Sequence, residues 1–201
     1  MRKYILVITI FFIGFMLQGC DSPKLEPIGN GTILAFGDSL TLGVGTTKEN
    51  SYPTVLSELT GLKVINSGVS GETTDRGLKR LSAELDNITP DLIILIEGGN
   101  DILRNKRQSG IKHNLKMMIE LAKSQGIQVI LIGVPKKSLF LNSAPFYEEL
   151  AESYNLVFDD NLIADLLRNP SLKSDSIHLN KQGYRKMAEN IYQLLSDNGA
   201  L

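Results

Sequence analysis

Short apolar runs alternate with longer amphipathic segments between residues 32 and 195. Five runs have the length of a strand, and those at 91–96 and 128–132 are almost continuously hydrophobic, which is typical of parallel strands covered on both faces. The segments between them repeat apolar residues at spacings of three and four, which indicates helices. The predicted strands are 32–36, 63–66, 91–96, 128–132 and 156–159, and the predicted helices are 52–59, 74–85, 111–123, 146–154, 162–167 and 183–195.

This order of elements predicts an α/β fold. Repeated strand–helix units with right-handed crossovers form a three-layer α/β/α sandwich around a five-stranded, mostly parallel sheet. The pattern leaves the order of the strands open. In open sheets of this kind ligands bind in the crevice beyond the carboxyl ends of the strands, so polar residues that follow strands are candidates for a site.

The first 19 residues differ from the rest of the chain. Arg2 and Lys3 precede an apolar run at 5–17, which is too short for a membrane-spanning helix and fits the apolar region of a signal peptide. We therefore predict a signal peptide over 1–19, a short tether rich in Pro and Gly over 20–31, and one folded domain over 32–201.

Cys20, the only cysteine of the chain, directly follows the predicted signal peptide. The Leu-Gln-Gly-Cys ending at 17–20 resembles a bacterial lipoprotein signal, which implies cleavage before Cys20 and a diacylglycerol on its thiol. The domain would then be held at a membrane surface in the cell envelope, facing the periplasm or the exterior. Asp21 implies retention at the inner membrane if the cell is Gram-negative. The alternative is an ordinary signal peptide, or an uncleaved anchor, with an incidental cysteine.

Charge and composition exclude several partners. Removing residues 1–19 removes two basic residues and no acidic one, which leaves 19 basic and 22 acidic residues, a net charge of −3. No nucleic-acid partner is expected, because such proteins carry a clustered basic excess. No metal or other cofactor is expected either, since the two histidines are not at ligand spacing and Cys20 would be lipidated. We expect a single domain that is monomeric.

Polar residues suited to acyl transfer lie in four loops of the predicted fold. Ser39 follows the first strand within a Gly-Asp-Ser-Leu run, and Asp175 and His178 lie three residues apart before the last helix. Serine, histidine and aspartate form the triad of acyl-transfer enzymes, in which the histidine accepts the serine proton and the aspartate fixes the imidazole tautomer. Gly71 and Asn100 lie in the loops after the second and third strands, where they could donate hydrogen bonds to an oxyanion.

Taken together, Ser39, Gly71, Asn100 and His178 match in order the four blocks that name the SGNH (GDSL) hydrolases. The resemblance covers nearly all of 32–195 and is to the small bacterial branch with lysophospholipase, thioesterase and arylesterase activity. It implies a flavodoxin-like hydrolase fold and a catalytic triad of Ser39, Asp175 and His178. It also implies three oxyanion donors, which are the N–H groups of Ser39 and Gly71 and the side-chain amide of Asn100.

Neighbouring polar residues are expected to have other roles. Asp38 and Asp101 are expected to be structural, because a carboxylate at a strand end can accept hydrogen bonds from loop N–H groups. His113 is expected on the solvated side of its helix. Leu179 stands where the family usually has proline, but Asn180 can still cap the last helix.

Two stretches are candidates for substrate contacts. The cations of 102–108, which are Arg104, Lys106 and Arg107, could receive the phosphate of a lysolipid or coenzyme A head group, or could form a solvated charged loop. The second stretch, 134–141, follows the fourth strand, and its apolar run 139–141 either packs on the core or contacts an acyl chain.

The sequence thus predicts a serine esterase that cleaves lysophospholipids, acyl thioesters or aryl esters through an acyl-enzyme on Ser39. Two alternatives remain open. One is a deacetylase of cell-envelope carbohydrate on the same fold, and the other is a non-catalytic, ligand-binding lipoprotein in which Ser39 is inert.

Overall fold

A five-stranded parallel sheet forms the centre of the computed structural model, which describes residues 23–136 and 143–201. Its strands lie in the order β2-β1-β3-β4-β5. Gly37, at the end of β1, lies opposite Gly68 of β2 and Ile96 of β3, so these three strands end at the same edge. The strands are β1 at Thr32–Gly37, β2 at Lys63–Gly68, β3 at Leu92–Ile96, β4 at Gln128–Ile132 and β5 at Val157–Asp159.

The helices that connect these strands were predicted where they are long. The structure adds two helices of about one turn that directly follow strand ends, α1 after β1 and α4 after β3. The α-helices are α1 at Ser39–Leu42, α2 at Tyr52–Thr60, α3 at Thr74–Leu85, α4 at Gly99–Leu103, α5 at Gln108–Ser124, α6 at Pro145–Tyr154, α7 at Leu162–Arg168 and α8 at Lys181–Asp197, and two short 3₁₀ helices lie at Lys48–Asn50 and Pro170–Leu172.

Helices cover both faces of the sheet. α2 packs against α8 on one side, while α3 packs against α5, and α5 against α6, on the other. The strands between these layers supply the core: the side chains at 33–36 of β1 and 92–96 of β3 are almost completely buried. The predicted α/β/α sandwich is therefore confirmed, including the continuous burial expected of central parallel strands.

The described part of the predicted tether is packed against the domain. Leu25 and Ile28 are buried, and their N–H groups donate to the carbonyls of Asn198 and Ala200 beyond α8. The side chain of Gln128, the first residue of β4, bonds to both the N–H and the carbonyl of Glu26. This segment therefore belongs to the folded unit and lies at the amino ends of the strands.

Four sequence predictions lie outside the described residues: the signal peptide over 1–19, lipidation of Cys20, membrane retention through Asp21 and the apolar run 139–141. In the part of the chain that the structure describes, no helix is both long enough and apolar enough to span a bilayer.

Candidate active site

Ser39 lies directly beyond the carboxyl end of β1, at the first position of α1. Asp38 caps this short helix, because its Oδ1 accepts a hydrogen bond from the Leu40 N–H at 3.0 Å. The helix can lie against β2 only because Gly68 has no side chain, since a Cβ there would be 2.0 Å from the Leu42 nitrogen. The fold therefore holds Ser39 firmly at the edge where the three central strands end.

Asp175 and His178 approach Ser39 from the loop before α8. His178 Nε2 lies 3.1 Å from Ser39 Oγ, and His178 Nδ1 lies 2.7 Å from Asp175 Oδ2. The other carboxylate oxygen of Asp175 accepts the N–H groups of Ile177 and His178, both at 2.8 Å, so the loop turns around this carboxylate. The structure thus brings together the three side chains that the sequence predicted as a triad.

Hydrogen bonding keeps the Asp175 carboxylate in its charged form. Partial burial acts to raise its pKa, but the His178 ring and the two loop N–H groups outweigh this, so the pKa of Asp175 is lowered. An ionised carboxylate at Nδ1 directs the imidazole proton to that nitrogen, which leaves Nε2 free to accept a proton from Ser39.

The replacement of the usual proline by Leu179 leaves this loop ordered. Leu179 is fully buried, and it forms a β-bridge with Lys173 across the loop. Asn180 caps α8, because its Oδ1 accepts the Gly183 N–H at 3.0 Å. Packing and capping therefore supply the rigidity that a proline ring would otherwise provide.

Asn100 and Gly71 lie on the same cavity as Ser39. Asn100, in α4, donates one amide hydrogen to Asp38 Oδ2 at 3.1 Å, which orients its side chain and leaves the second amide hydrogen for a ligand. Gly71 has a φ of +74°, a conformation that glycine adopts without strain. Burial raises the pKa of Asp38 to about 6, although the Leu40 N–H, His178 and the Asn100 amide each lower it.

The other residues in question take the places expected of them. Asp101 is buried and accepts both the N–H and the hydroxyl of Thr74, which ties α4 to the start of α3. His113 is exposed on α5. Asp38 and Asp101 thus accept the N–H hydrogen bonds expected of them, and the surface position of His113 is confirmed.

A cavity of about 350 Å³ opens beside Ser39 and His178. Its polar lining comes from the groups at Ser39, Asn100 and His178 and also from Ser70, Lys136 and Ser176, and the rest of its wall is mainly apolar. α7 supplies part of this wall through Ile163 and Leu167, which was not predicted, because their spacing of four indicates only a buried helix face. The apolar side chains of the wall are Leu40, Ile102, Leu103, Val134, Pro135, Ile163, Leu167 and Ile177.

The three cations of 102–108 are not equivalent. Lys106 is bound to Asp75 at 2.6 Å and lies 3.5 Å from Asp101, so two carboxylates already surround it. Arg104 is exposed, and its guanidinium donates to the Gly71 carbonyl at 3.1 Å, beside the cavity. Arg104 is therefore the cation of this group that contacts a residue of the cavity wall.

No cluster of three or more His, Cys, Asp or Glu side chains among residues 23–136 and 143–201 is arranged to hold a metal ion. The polar side chains around Ser39 bond directly to one another, Asp175 to His178, His178 to Ser39 and Asn100 to Asp38.

Comparison with known proteins agrees with this geometry. The family model described as the GDSL-like Lipase/Acylhydrolase family matches residues 35–186. An arylesterase of Vibrio mimicus is 33% identical over 174 residues, which are 81% of this chain and 87% of that protein. The thioesterase 1/protease 1/lysophospholipase L1 of Escherichia coli K12 is 25% identical over 166 residues, covering 79% of this chain and 80% of its own.

Solved structures show the same fold. The crystal structure of AlinE4, an SGNH-hydrolase family esterase, superposes with a TM-score of 0.66 at 31% identity, over 84% of this chain and 94% of the other. The region matched by the family model includes every segment that carries a predicted triad or oxyanion residue. The chain therefore belongs to the GDSL-like lipase/acylhydrolase family, and it is a serine hydrolase of the esterase type.

Proposed function

We propose that this protein hydrolyses acyl esters or thioesters through an acyl-enzyme on Ser39. The observation that carries the proposal is the continuous chain of hydrogen bonds from Asp175 through His178 to Ser39, at 2.7 and 3.1 Å, beside an apolar cavity. Serine is a weak nucleophile until an adjacent base accepts its proton, and His178 is the base in position to do so.

The reaction follows from these positions. Ser39 Oγ attacks the carbonyl carbon of the substrate while its proton passes to His178 Nε2. The negative charge that develops on the carbonyl oxygen is stabilised by the N–H groups of Ser39 and Gly71 and by the second amide hydrogen of Asn100. His178 then protonates the leaving alcohol or thiol. A water molecule then attacks the acyl-enzyme while its proton passes to His178, and His178 returns a proton to Ser39 as the acid is released.

The substrate carries an acyl chain longer than acetyl. The cavity is lined by aliphatic side chains from α1, α4 and α7. A small acyl group would leave these side chains exposed to water, which is unfavourable, whereas a longer acyl chain would cover them. The exposed guanidinium of Arg104 beside the cavity suits a phosphate on the alcohol or thiol side of the bond. Lysophospholipids and long-chain acyl thioesters share this chemistry.

A fluorophosphonate probe tests the nucleophile. We expect it to label Ser39, as identified by mass spectrometry of the digested protein, and we expect no label in Ser39→Ala. Ser39→Ala should lose activity by about 10⁴ or more, because one triad member does not work without the others. Labelling of another serine, or more than about a hundredth of the activity in the variant, would contradict the proposal.

A panel of p-nitrophenyl esters with acyl chains of two to sixteen carbons tests which acyl chains the cavity accepts. Substrates with and without a phosphate on the leaving alcohol test the role of Arg104. Arg104→Gln should raise KM for a lysophosphatidyl substrate and leave KM for a neutral monoacylglycerol unchanged. Lys106→Gln is the matched control, because Lys106 is already paired with Asp75. If the two variants changed KM equally for both substrates, Arg104 would not be a phosphate-binding residue.

We also propose that Cys20 is lipidated and that the enzyme acts in the cell envelope. The support comes from the sequence alone: a basic start, a short apolar run and a single cysteine at its end. Mass spectrometry of the membrane fraction should find acylated Cys20 at the mature amino terminus, and Cys20→Ser should release the protein or leave its precursor. A free Cys20 thiol in the mature protein would exclude lipidation.

A further inference from the structure

Three carboxyl groups are buried directly behind the catalytic side chains. Asp38, Glu72 and Glu97 are 4%, 5% and 0% exposed, and they come from three neighbouring chain segments at the carboxyl ends of the strands. Asp38 orients Asn100, but the reaction derived above uses neither glutamate. Placing several carboxyl groups in a dry interior is unfavourable unless each has a partner, so Glu72 and Glu97 require an explanation.

Glu72 has a cationic partner. Arg80 of α3 donates from Nε to both Glu72 carboxylate oxygens at 3.0 Å, and its Nη1 bonds to Glu84 at 2.7 Å. The guanidinium also stacks on the ring of Phe36, 4.0 Å from the centroid. Arg80 therefore balances the charge of Glu72 and is shared with a second carboxylate.

Glu97 has no such partner. Its Oε2 accepts the Gly98 N–H at 3.1 Å, but its buried Oε1 faces no donor among the described residues. This oxygen lies beside Glu72 instead. The position that a Gly77 Cβ would occupy is 3.3 Å from Glu97 Oε1 and 3.4 Å from Glu72 Oε2, so both carboxyl groups border the same small space, which exists because Gly77 has no side chain.

Two carboxyl oxygens in a dry site attract each other only if one of them carries a proton. We propose that Glu97 is protonated and donates a hydrogen bond to Glu72, and that this acid–carboxylate pair positions the oxyanion donors. Glu72 directly follows Gly71, and Glu97 precedes Asn100 by three residues. The pair therefore fastens together the two loops that supply Gly71 and Asn100, and Glu97 is a positioning residue. This role rests on the function proposed above.

The surroundings of Glu97 favour the protonated form. Burial, the charges of Asp38 and Glu72 and the hydrogen bond with Glu72 raise the pKa of Glu97 well above its ordinary value. Of the charged groups around it, Asp38 comes from the end of β1, Glu72 from the loop after β2, and Arg80 from α3 with its guanidinium directed to Glu72. From α6, the Tyr147 hydroxyl donates to the Glu97 carbonyl at 2.7 Å rather than to its carboxyl.

Infrared spectroscopy tests the proton directly. At pH 8 in D₂O the wild-type protein should show the carbonyl stretch of a protonated carboxylic acid. Asp38, with a pKa of about 6, is then largely ionised, so the band can be assigned to Glu97. This band should be absent from Glu97→Gln and present in Glu58→Gln, a matched change of an exposed glutamate on α2. A wild-type protein without the band, or a band that persists in Glu97→Gln, would overturn the proposal.

Thermal unfolding gives a second readout. Above the ordinary glutamate pKa of 4.5 the unfolded chain releases the proton that folded Glu97 retains, so the wild-type protein loses stability as the pH rises. The Glu97→Gln variant has an amide at this position and releases no proton. The Tm of Glu97→Gln minus that of the wild type should therefore increase between pH 5 and pH 8.5. A difference that does not change with pH would refute the shared proton.

Kinetics separate positioning from simple loss of packing. Glu97→Gln can still donate to Glu72, whereas Glu97→Leu has a similar size and cannot. We expect kcat to fall at least tenfold more in Glu97→Leu than in Glu97→Gln, with little change in KM. Equal kcat values would show that the bond does not position the donors. A Ser39→Ala variant that retains activity would refute the proposed function instead, and would leave the infrared and thermal results unaffected.

Discussion

Three of the side chains that we propose for catalysis are each held by hydrogen bonds to neighbouring groups. Asp38 holds Asn100, the Ile177 and His178 N–H groups hold Asp175, and Asp175 in turn holds His178. These contacts fix the donors and the base before substrate arrives, which is the condition for strong electrostatic stabilisation of a transition state.

Substitution of His178 should lower kcat/KM more than substitution of Asp175. His178→Ala removes the base and should lower kcat/KM by about 10³ or more, while Asp175→Asn keeps a hydrogen-bonding side chain at the imidazole and should lose less. His113→Ala, on the exposed side of α5, should remain close to wild type. A comparable loss in His113→Ala would reassign the base. Initial rates on a single p-nitrophenyl ester measure all three variants.

Burial of Asp38 should appear as a pH dependence of stability. Its pKa is raised from 3.8 to about 6, so the unfolded chain releases this proton before the folded protein does. The free energy of unfolding should therefore fall as the pH rises through that window, by about 1.4 kcal/mol for each pH unit, with no further contribution above it. Urea unfolding at pH 4 to 8 should show a slope that is steeper in the wild type than in Asp38→Asn by this amount, because Glu97 contributes to both proteins, and equal slopes would contradict the prediction.

The long elements were predictable because their patterns are long. The helices α3, α5 and α8 repeat their apolar residues over 12 to 17 positions, and the strands at 92–96 and 128–132 are apolar almost without interruption, which identifies both type and position. In contrast, α1 and α4 have four and five residues, which is too short for a period, and their positions depend on caps and glycines after a strand. The site residues in these short helices were found from their residue types and order, not from any pattern of their own.

The wall of the cavity could not be predicted in the same way. Ile163 and Leu167 lie four residues apart on α7, which indicates only that one face of this helix is buried. Whether that face meets the core or a ligand depends on how α7 packs, and this is decided by residues far away in the sequence. The Glu72–Glu97 pair was missed for a similar reason, since its two members lie on separate loops.

α7 should determine which acyl chains fit. Leu167→Trp places a larger side chain in the cavity and should lower kcat/KM for a ten-carbon p-nitrophenyl ester at least tenfold more than for the acetate. Leu166→Met, a change of similar volume at a buried position of the same helix that does not line the cavity, is the control. If Leu167→Trp lowered kcat/KM equally for both esters, the acyl chain would not lie against α7.

At the scale of the whole molecule, the segment that contains Leu25 and Ile28 contributes to the free energy of unfolding of the domain. Leu25 and Ile28 are 8% and 7% exposed, and burying an aliphatic side chain of this size contributes about 1.5–3 kcal/mol. A protein that begins at Gly31 should therefore have a lower Tm than one that begins at Pro23. Both should have the same kcat at 20 °C, because the segment lies far from Ser39. Equal Tm values would show that these contacts contribute nothing.

The packed segment also bears on the proposed membrane anchor at Cys20. Pro23 lies three residues after Cys20, and three extended residues span only about 10 Å. The segment is attached near the amino ends of the strands, whereas the cavity opens at their carboxyl ends, a strand length of about 17–20 Å away. If Cys20 is embedded in a bilayer as proposed, Ser39 faces away from that bilayer. Lipids of the anchoring leaflet would then be out of reach, and the enzyme would take esters that arrive through the water or lie in a surface opposite to it.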